Sequence, residues 1–179
     1  MKRYNVIIIL FMVLQYACTK DVDFDQINDF EINPVFETSF IYLDEPASRF
    51  LDNGQEVTFT QDFILVNFFE DEVLNDEVIR IDLNFELNNT ISRNFNIQLD
   101  FVDQLGQVQH TFVINQPANS VNSFTETFEN STLDALKNSY QIYFTLQLPP
   151  SNNTINQNTP GRIQLQSFAK VYFQIKNTL

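Results

Sequence analysis

The chain has 179 residues, with 10 basic and 23 acidic side chains and a formal net charge of −13. With 19 Phe, 6 Tyr, no Trp and only 3 Gly, it has the makeup of a strand-rich globular domain and lacks the glycines of a phosphate loop. The acidity argues against nucleic acid and anionic lipid headgroups, which are bound through basic surface, and a lone cysteine and a lone histidine argue against an internal disulfide and a zinc site.

In chain order, Lys2 and Arg3 precede the apolar run VIIILFMVL at 6–14, and Tyr16, Ala17 and Cys18 close it. A membrane-spanning helix needs about 20 apolar residues, and this run is about half that. Residues 1–17 therefore read as an export signal with basic, apolar and small-residue parts. The segment resembles a bacterial lipoprotein signal peptide of the Bacteroidota type, with LQYAC standing where the lipobox belongs. The resemblance is confined to residues 1 to about 21. It implies that Cys18 becomes the first residue, bearing a thioether-linked diacylglycerol and an acylated amine. Physical chemistry points the same way. An exported chain with one thiol cannot close an internal disulfide, and several acyl chains at about 0.8 kcal/mol per buried CH₂ anchor a domain firmly. Lys20 and Asp21 resemble the charged surface-export signal that follows the cysteine in some of these lipoproteins. That implies the outer membrane, with the cell surface favoured over the periplasmic face. Loss of Lys2 and Arg3 takes the net charge from −13 to −15. Residues 18–33 then form an acidic tether and 34–179 one β domain.

Within that domain the dominant signal is alternation with period two. The first candidate strand is 35–43, with Phe36, Phe40 and Tyr42 in register, and the second is 57–66. Glu70, Asp71, Glu72, Asp76 and Glu77 follow in an acidic loop. In 78–87, Ile79, Ile81, Leu83, Phe85 and Leu87 face one way; in 93–102, Phe95, Ile97, Leu99 and Phe101 do. The polar stretch LNNTIS between them predicts a hairpin. The turn DQLG at 103–106 leads to 107–115, with Val108, Phe112 and Ile114 inward and His110 on the same side. That parity makes His110 a half-buried core histidine rather than a metal ligand. A short strand at 122–129 precedes one short helix near 131–138, capped by Ser131 or Thr132. Strand 140–148 stops at Pro149 and Pro150, and 151–161 is a loop. The last strand, 162–176, turns Ile163, Leu165, Ala169, Val171, Phe173 and Ile175 to one side. Its length invites a bulge and lets it serve both sheets. Seven or eight antiparallel strands of this kind hide their apolar faces in an all-β, two-sheet β-sandwich; a closed β-barrel is the alternative.

The chemistry-bearing patterns are sparse. A nucleophilic role for Cys18 needs a base, and His110 stands far along the chain. Neither a nucleophile elbow nor a Ser–His–Asp arrangement is present in the sequence, so the chain reads as non-catalytic, with a small hydrolase the least supported alternative. Calcium is the one cofactor to weigh, because hard cations take carboxylate oxygens and Glu70, Asp71, Glu72, Asp76 and Glu77 crowd together; the plainer reading is a solvated acidic loop. Tyr143, Phe168 and Tyr172 have parity opposite to the main apolar set of their strands. Phe168 and Tyr172 line one face, about 13 Å apart at about 3.3 Å per residue. They suit a docking patch for another envelope protein, an aromatic platform for a carbohydrate, or core beneath a second layer. The expected function is a membrane-anchored lipoprotein whose β-sandwich binds another envelope protein, with a carbohydrate-binding module as the alternative. The sequons at Asn88, Asn130 and Asn152 are read as ordinary loop residues, given the bacterial type of signal.

Overall fold

The computed structural model describes residues 31–66 and 72–176. The signal segment, Cys18, the tether as far as residue 30, Glu70 and Asp71 lie outside the described residues. Among the described residues no helix is long and apolar enough to cross a membrane.

Eight main strands carry the fold: β1 (Val35–Pro46), β2 (Phe59–Leu65), β3 (Val78–Asn89), β4 (Phe95–Val102), β5 (Val108–Gln116), β6 (Ser120–Glu129), β7 (Gln141–Gln147) and β8 (Arg162–Phe173). Among the described residues two short α-helices, α1 (Glu72–Glu77) and α2 (Ser131–Lys137), precede β3 and β7. The strands form two four-stranded sheets, β1-β8-β3-β6 and β2-β7-β4-β5, with every ladder in them antiparallel. β1 pairs with β8, β2 with β7, β3 with β6 and β4 with β5, a nested order that defines a jelly-roll sandwich. The sheets do not close into a barrel.

Alternation explains the core. Leu83, Phe85 and Leu87 of β3, Ile97, Leu99 and Phe101 of β4, and Ile163 and Leu165 of β8 are all buried between the sheets. Rings cross the interface, with Phe85 and Phe112 5.6 Å apart and Phe101 and Phe128 5.2 Å apart. Burying such side chains contributes about 1.5–3 kcal/mol each, which is what holds two otherwise independent sheets together.

Several expectations fail for identifiable reasons. β3 and β4 are not a hairpin, since each lies in a different sheet. The connection between them is not a free polar turn: Ile91 within it is fully buried, and its backbone accepts a bond from the Asn119 amide. β8 stays within one sheet and does not serve both. Bulges move residues expected inside to the surface. Phe101 pairs with His110 while Val102 pairs with Val108, so Gln109 is the extra residue and Val108 points outward, 58% exposed. Tyr172 pairs with Arg80 and Phe173 with Val78, which puts Ile79 outside the ladder and exposed. In β1, Ser39 faces Phe168 and Tyr42 faces Gln166, so Phe40 and Ile41 together face Ser167. Phe36, Phe40 and Tyr42 therefore do not share one side, and Tyr42 is exposed outside while Ile41 and Leu43 pack inward. Ile175 and Tyr140 are also exposed. The Asn130 residue, at φ 52, caps α2 without a side-chain bond; Thr132 instead ties its hydroxyl to the Glu129 backbone. α1 occupies part of the acidic stretch read as a loop.

The end of the sandwich holding the β1–β2, β3–β4 and β7–β8 connections is closely laced. Arg93, 3% exposed in its side chain, donates to Glu56 at 2.7 Å, and the other Glu56 oxygen accepts the Ile155 amide. Gly161 lies at φ +102, and a Cβ there would stand 2.5 Å from the Thr90 carbonyl oxygen, so no other residue fits.

Candidate binding surfaces

The structure separates the three aromatic residues singled out by parity. Phe168 and Tyr172 lie on the outer face of the β1-β8-β3-β6 sheet, and Tyr143 on the outer face of the other sheet. All three are half-buried.

Around Phe168 and Tyr172, cations cover the rings. Alternation places Lys170 between them on β8 and puts Arg80 of β3 opposite Tyr172. The Arg80 guanidinium lies 5.2 Å from the Tyr172 ring centre and the Lys170 ammonium 6.0 Å from that of Phe168. Arg80 also grips Asp82 with two bonds of 2.9 Å, Thr127 donates to Asp82 at 2.9 Å, and Lys170 reaches Glu37 at 3.0 Å. Burial pushes the Asp82 carboxyl up, but hydrogen bonds from Arg80, Thr127 and Tyr172 outweigh it and hold the group below the usual carboxylate range. The bond to Asp82 raises the Arg80 guanidinium, and the bond to Glu37 raises Lys170. This face is an internally satisfied ladder, with its ring faces already engaged by cations.

The opposite face differs. Among the described residues β2 pairs only with β7, at the edge of its sheet, and its outward set is Phe59, Gln61, Phe63 and Leu65. Phe59 is 60% exposed, Phe63 49% and Leu65 54%. The register sets Phe63 beside Tyr143, with ring centres 5.7 Å apart at 41°. Farther across the sheet, Val113 and Val108 of β5 are also exposed. Polar groups stand among them: Gln61 donates to Thr145 at 2.9 Å, Tyr143 to Gln141 at 3.0 Å, and Gln98 and Thr111 both donate to Asp100. The face thus carries exposed rings and aliphatic side chains with hydrogen-bonded amide and carboxylate groups between them.

Sequence reasoning found Tyr143 but missed Phe59, Phe63 and Leu65. The usable signal was in 57–66 itself. Both parities of that segment carry apolar residues, Phe59, Phe63 and Leu65 on one and Ile64 and Val66 on the other, so one apolar set had to face away from the core.

His110 sits on the inner side of β5, 2.8 Å from Glu126 of β6 and against the Phe128 ring at 5.0 Å, so it joins the two sheets at their shared edge. Of the calcium candidates, Asp76 and Glu77 belong to α1, with Asp76 exposed; Glu70, Asp71 and the Glu72 side chain lie outside the described residues. Among the described residues no three His, Cys, Asp or Glu side chains converge as metal ligands would.

No protein-family model matches the chain, and no curated protein matches it. Solved structures do. A structure of infectious bursal disease virus, Gx strain, is 6% identical with a TM-score of 0.45, over 82% of this chain and 33% of the viral one. An exo-beta-agarase is 12% identical with a TM-score of 0.43, over 84% of this chain and 24% of its own. A structure described as CBM4 is 8% identical with a TM-score of 0.32, over 69% of this chain and 81% of its own. The chain thus spans about a third of the viral protein and a quarter of the agarase. Similarity at this level carries no inference about ligand or reaction.

Proposed function

We propose that the protein is a lipid-anchored, non-catalytic binding domain of the outer membrane that docks another envelope protein on the outer face of the β2-β7-β4-β5 sheet. The observation that carries this reading is the exposed pair Phe59 and Phe63 beside the half-buried Tyr143, with exposed Leu65 next to Phe63 on the same strand face. Exposed aromatic side chains grouped on one sheet face mark association sites, and such side chains supply much of the energy when they are desolvated. The anchor rests on Cys18 and the export-signal pattern before it. A second reading, a glycan lying along the same face, is supported by Gln61, Gln98 and Asp100, whose polar atoms stand among the rings.

The test places a photo-crosslinking amino acid at position 63 or at position 172 in the native host. A discrete protein adduct from position 63, absent from position 172 and lost with Phe59→Ser, supports the protein reading. Specific oligosaccharide binding abolished by Tyr143→Ala replaces it with the glycan reading. An unacylated Cys18 in the intact mass of membrane-extracted protein removes the anchor.

A further inference from the structure

The two long sides of the sandwich are built differently. On the side of β5 and β6, Phe112 and Phe124 stack at 5.6 Å and His110 meets Glu126 at 2.8 Å, so side chains seal the sheet edges together. On the side of β1 and β2 a cleft of about 150 Å³ lies between the edges. The sequence of β2 accounts for it. Two of its inward positions hold Thr60, beside Leu146, and Asp62, beside Phe144, where a filled edge would carry large apolar side chains. Leu146 and Phe144 of β7 and Leu165 of β8 line the cleft as its buried floor, with the half-buried Ile41 and Leu43 of β1 as one wall. The connection from β1 to β2, residues 47–58, lies wholly within the described residues and leaves Asp62 and Phe63 exposed beside the cleft.

Two carboxylates line this space, Glu45 from β1 and Asp62 from β2. Asp62 accepts the Phe63 amide at 2.8 Å and forms no ion pair among the described residues. Arg49 reaches Glu45 only at 3.8 Å from a side chain that is 62% exposed, an arrangement of little energy. An apolar floor beneath two carboxylates suits an occupant that is apolar where it enters and cationic where it leaves. The surroundings favour the same sign, since the chain carries a net charge of −13. Gln61 and Phe63 line the cleft and also belong to the outward set of β2, so a partner lying on the aromatic face reaches the cleft by crossing β2 alone.

We infer that the cleft receives an extended segment of the docked protein, with an apolar side chain on the floor and a lysine or arginine two residues away resting on Glu45 or Asp62. Alternate residues of an extended segment share one side, so a spacing of two brings both groups to the cleft. The inference rests on the protein-docking reading of the aromatic face and narrows the partner to one that presents a basic and apolar extended segment. A carboxylate turned inward on an edge strand also discourages strand pairing. That role needs no occupant, and the experiment separates the two.

Methyl resonances of Ile41, Leu43, Leu146 and Leu165 are followed in the purified full chain during titration with blocked pentapeptides. The sequences are Lys-Ser-Leu-Ser-Lys, Glu-Ser-Leu-Ser-Glu and Lys-Ser-Ser-Ser-Lys. Saturable shifts are expected with the first alone. They should weaken about three- to tenfold when Glu45→Gln and Asp62→Asn are combined, and again in about 1 M salt, where the Debye length falls to about 3 Å. Thr60→Leu, which fills the cleft from the edge, should abolish them. Absence of saturable shifts, equal shifts with all three peptides, or shifts indifferent to the two charge substitutions overturns the inference and leaves only the guard against strand pairing. The crosslink at position 63 reports on the aromatic face separately, so a partner still captured there when no peptide binds retains the docking face and removes the cleft.

Discussion

Asp82 shows how a charge is kept on a sheet face at low exposure. Its side chain is 9% exposed, yet two guanidinium bonds and a threonine hydroxyl serve its oxygens. Its folded carboxyl is therefore more acidic than the ordinary value of 3.8. A depressed carboxylate stabilises the fold above the unfolded pKa, and that contribution is lost as pH falls through the folded value. Asp82→Asn is expected to cost about 1.5–3 kcal/mol at neutral pH, the range for hydrogen bonds to charged groups. The gap from wild type should stay constant above about pH 5 and narrow as pH drops below 3.8. Urea unfolding of both proteins from pH 7 to pH 2 measures it, and a gap independent of pH would contradict the account. Alternation alone shows that Phe168, Tyr172 and Tyr143 point away from the core. That Arg80 and Lys170 cover the first two, while Phe63 leaves the third on a bare surface, depends on cross-strand register.

Bulges are the decisive irregularity among the strands. Where Phe40 and Ile41 together face Ser167, the ladder between β1 and β8 is interrupted. The Ser167 hydroxyl repairs it by accepting the Ile41 amide at 2.8 Å and donating to the Ile41 carbonyl at 3.3 Å. Ser167 is itself buried, so its removal leaves those backbone groups with no side-chain partner. Ser167→Val is expected to destabilise the protein by about 1–3 kcal/mol, the cost of an unsatisfied buried donor or acceptor. Amide exchange should quicken at Ile41 and its β1 neighbours while β3, in the sheet interior, keeps its protection; uniform acceleration across both strands would instead indicate global loss. The existence of β1 was legible because residues 35–43 alternate. Its bulge was not, because one extra residue leaves no mark in composition and takes effect only against a partner strand.

Across the whole molecule, the pairing of β1 with β8 and β2 with β7 joins segments far apart in sequence, unlike the local hairpin of β4 and β5. Loop closure must precede the contacts that reward it, which slows folding. Refolding followed by tyrosine fluorescence, the available probe in a chain with six Tyr and no Trp, is expected on the millisecond-to-second scale at 25 °C. Completion within microseconds would contradict this. The sequence by itself determined the long strands, a short helix near 131–138 and the two-sheet class, because side-chain alternation and turn chemistry are local properties written within each segment. Only the tertiary structure decided that β3 and β4 part company and that, among the described residues, β2 lies at a sheet edge with Phe59 and Phe63 exposed. Each of these depends on which distant strand lies alongside, and a short stretch of sequence carries no record of its neighbour.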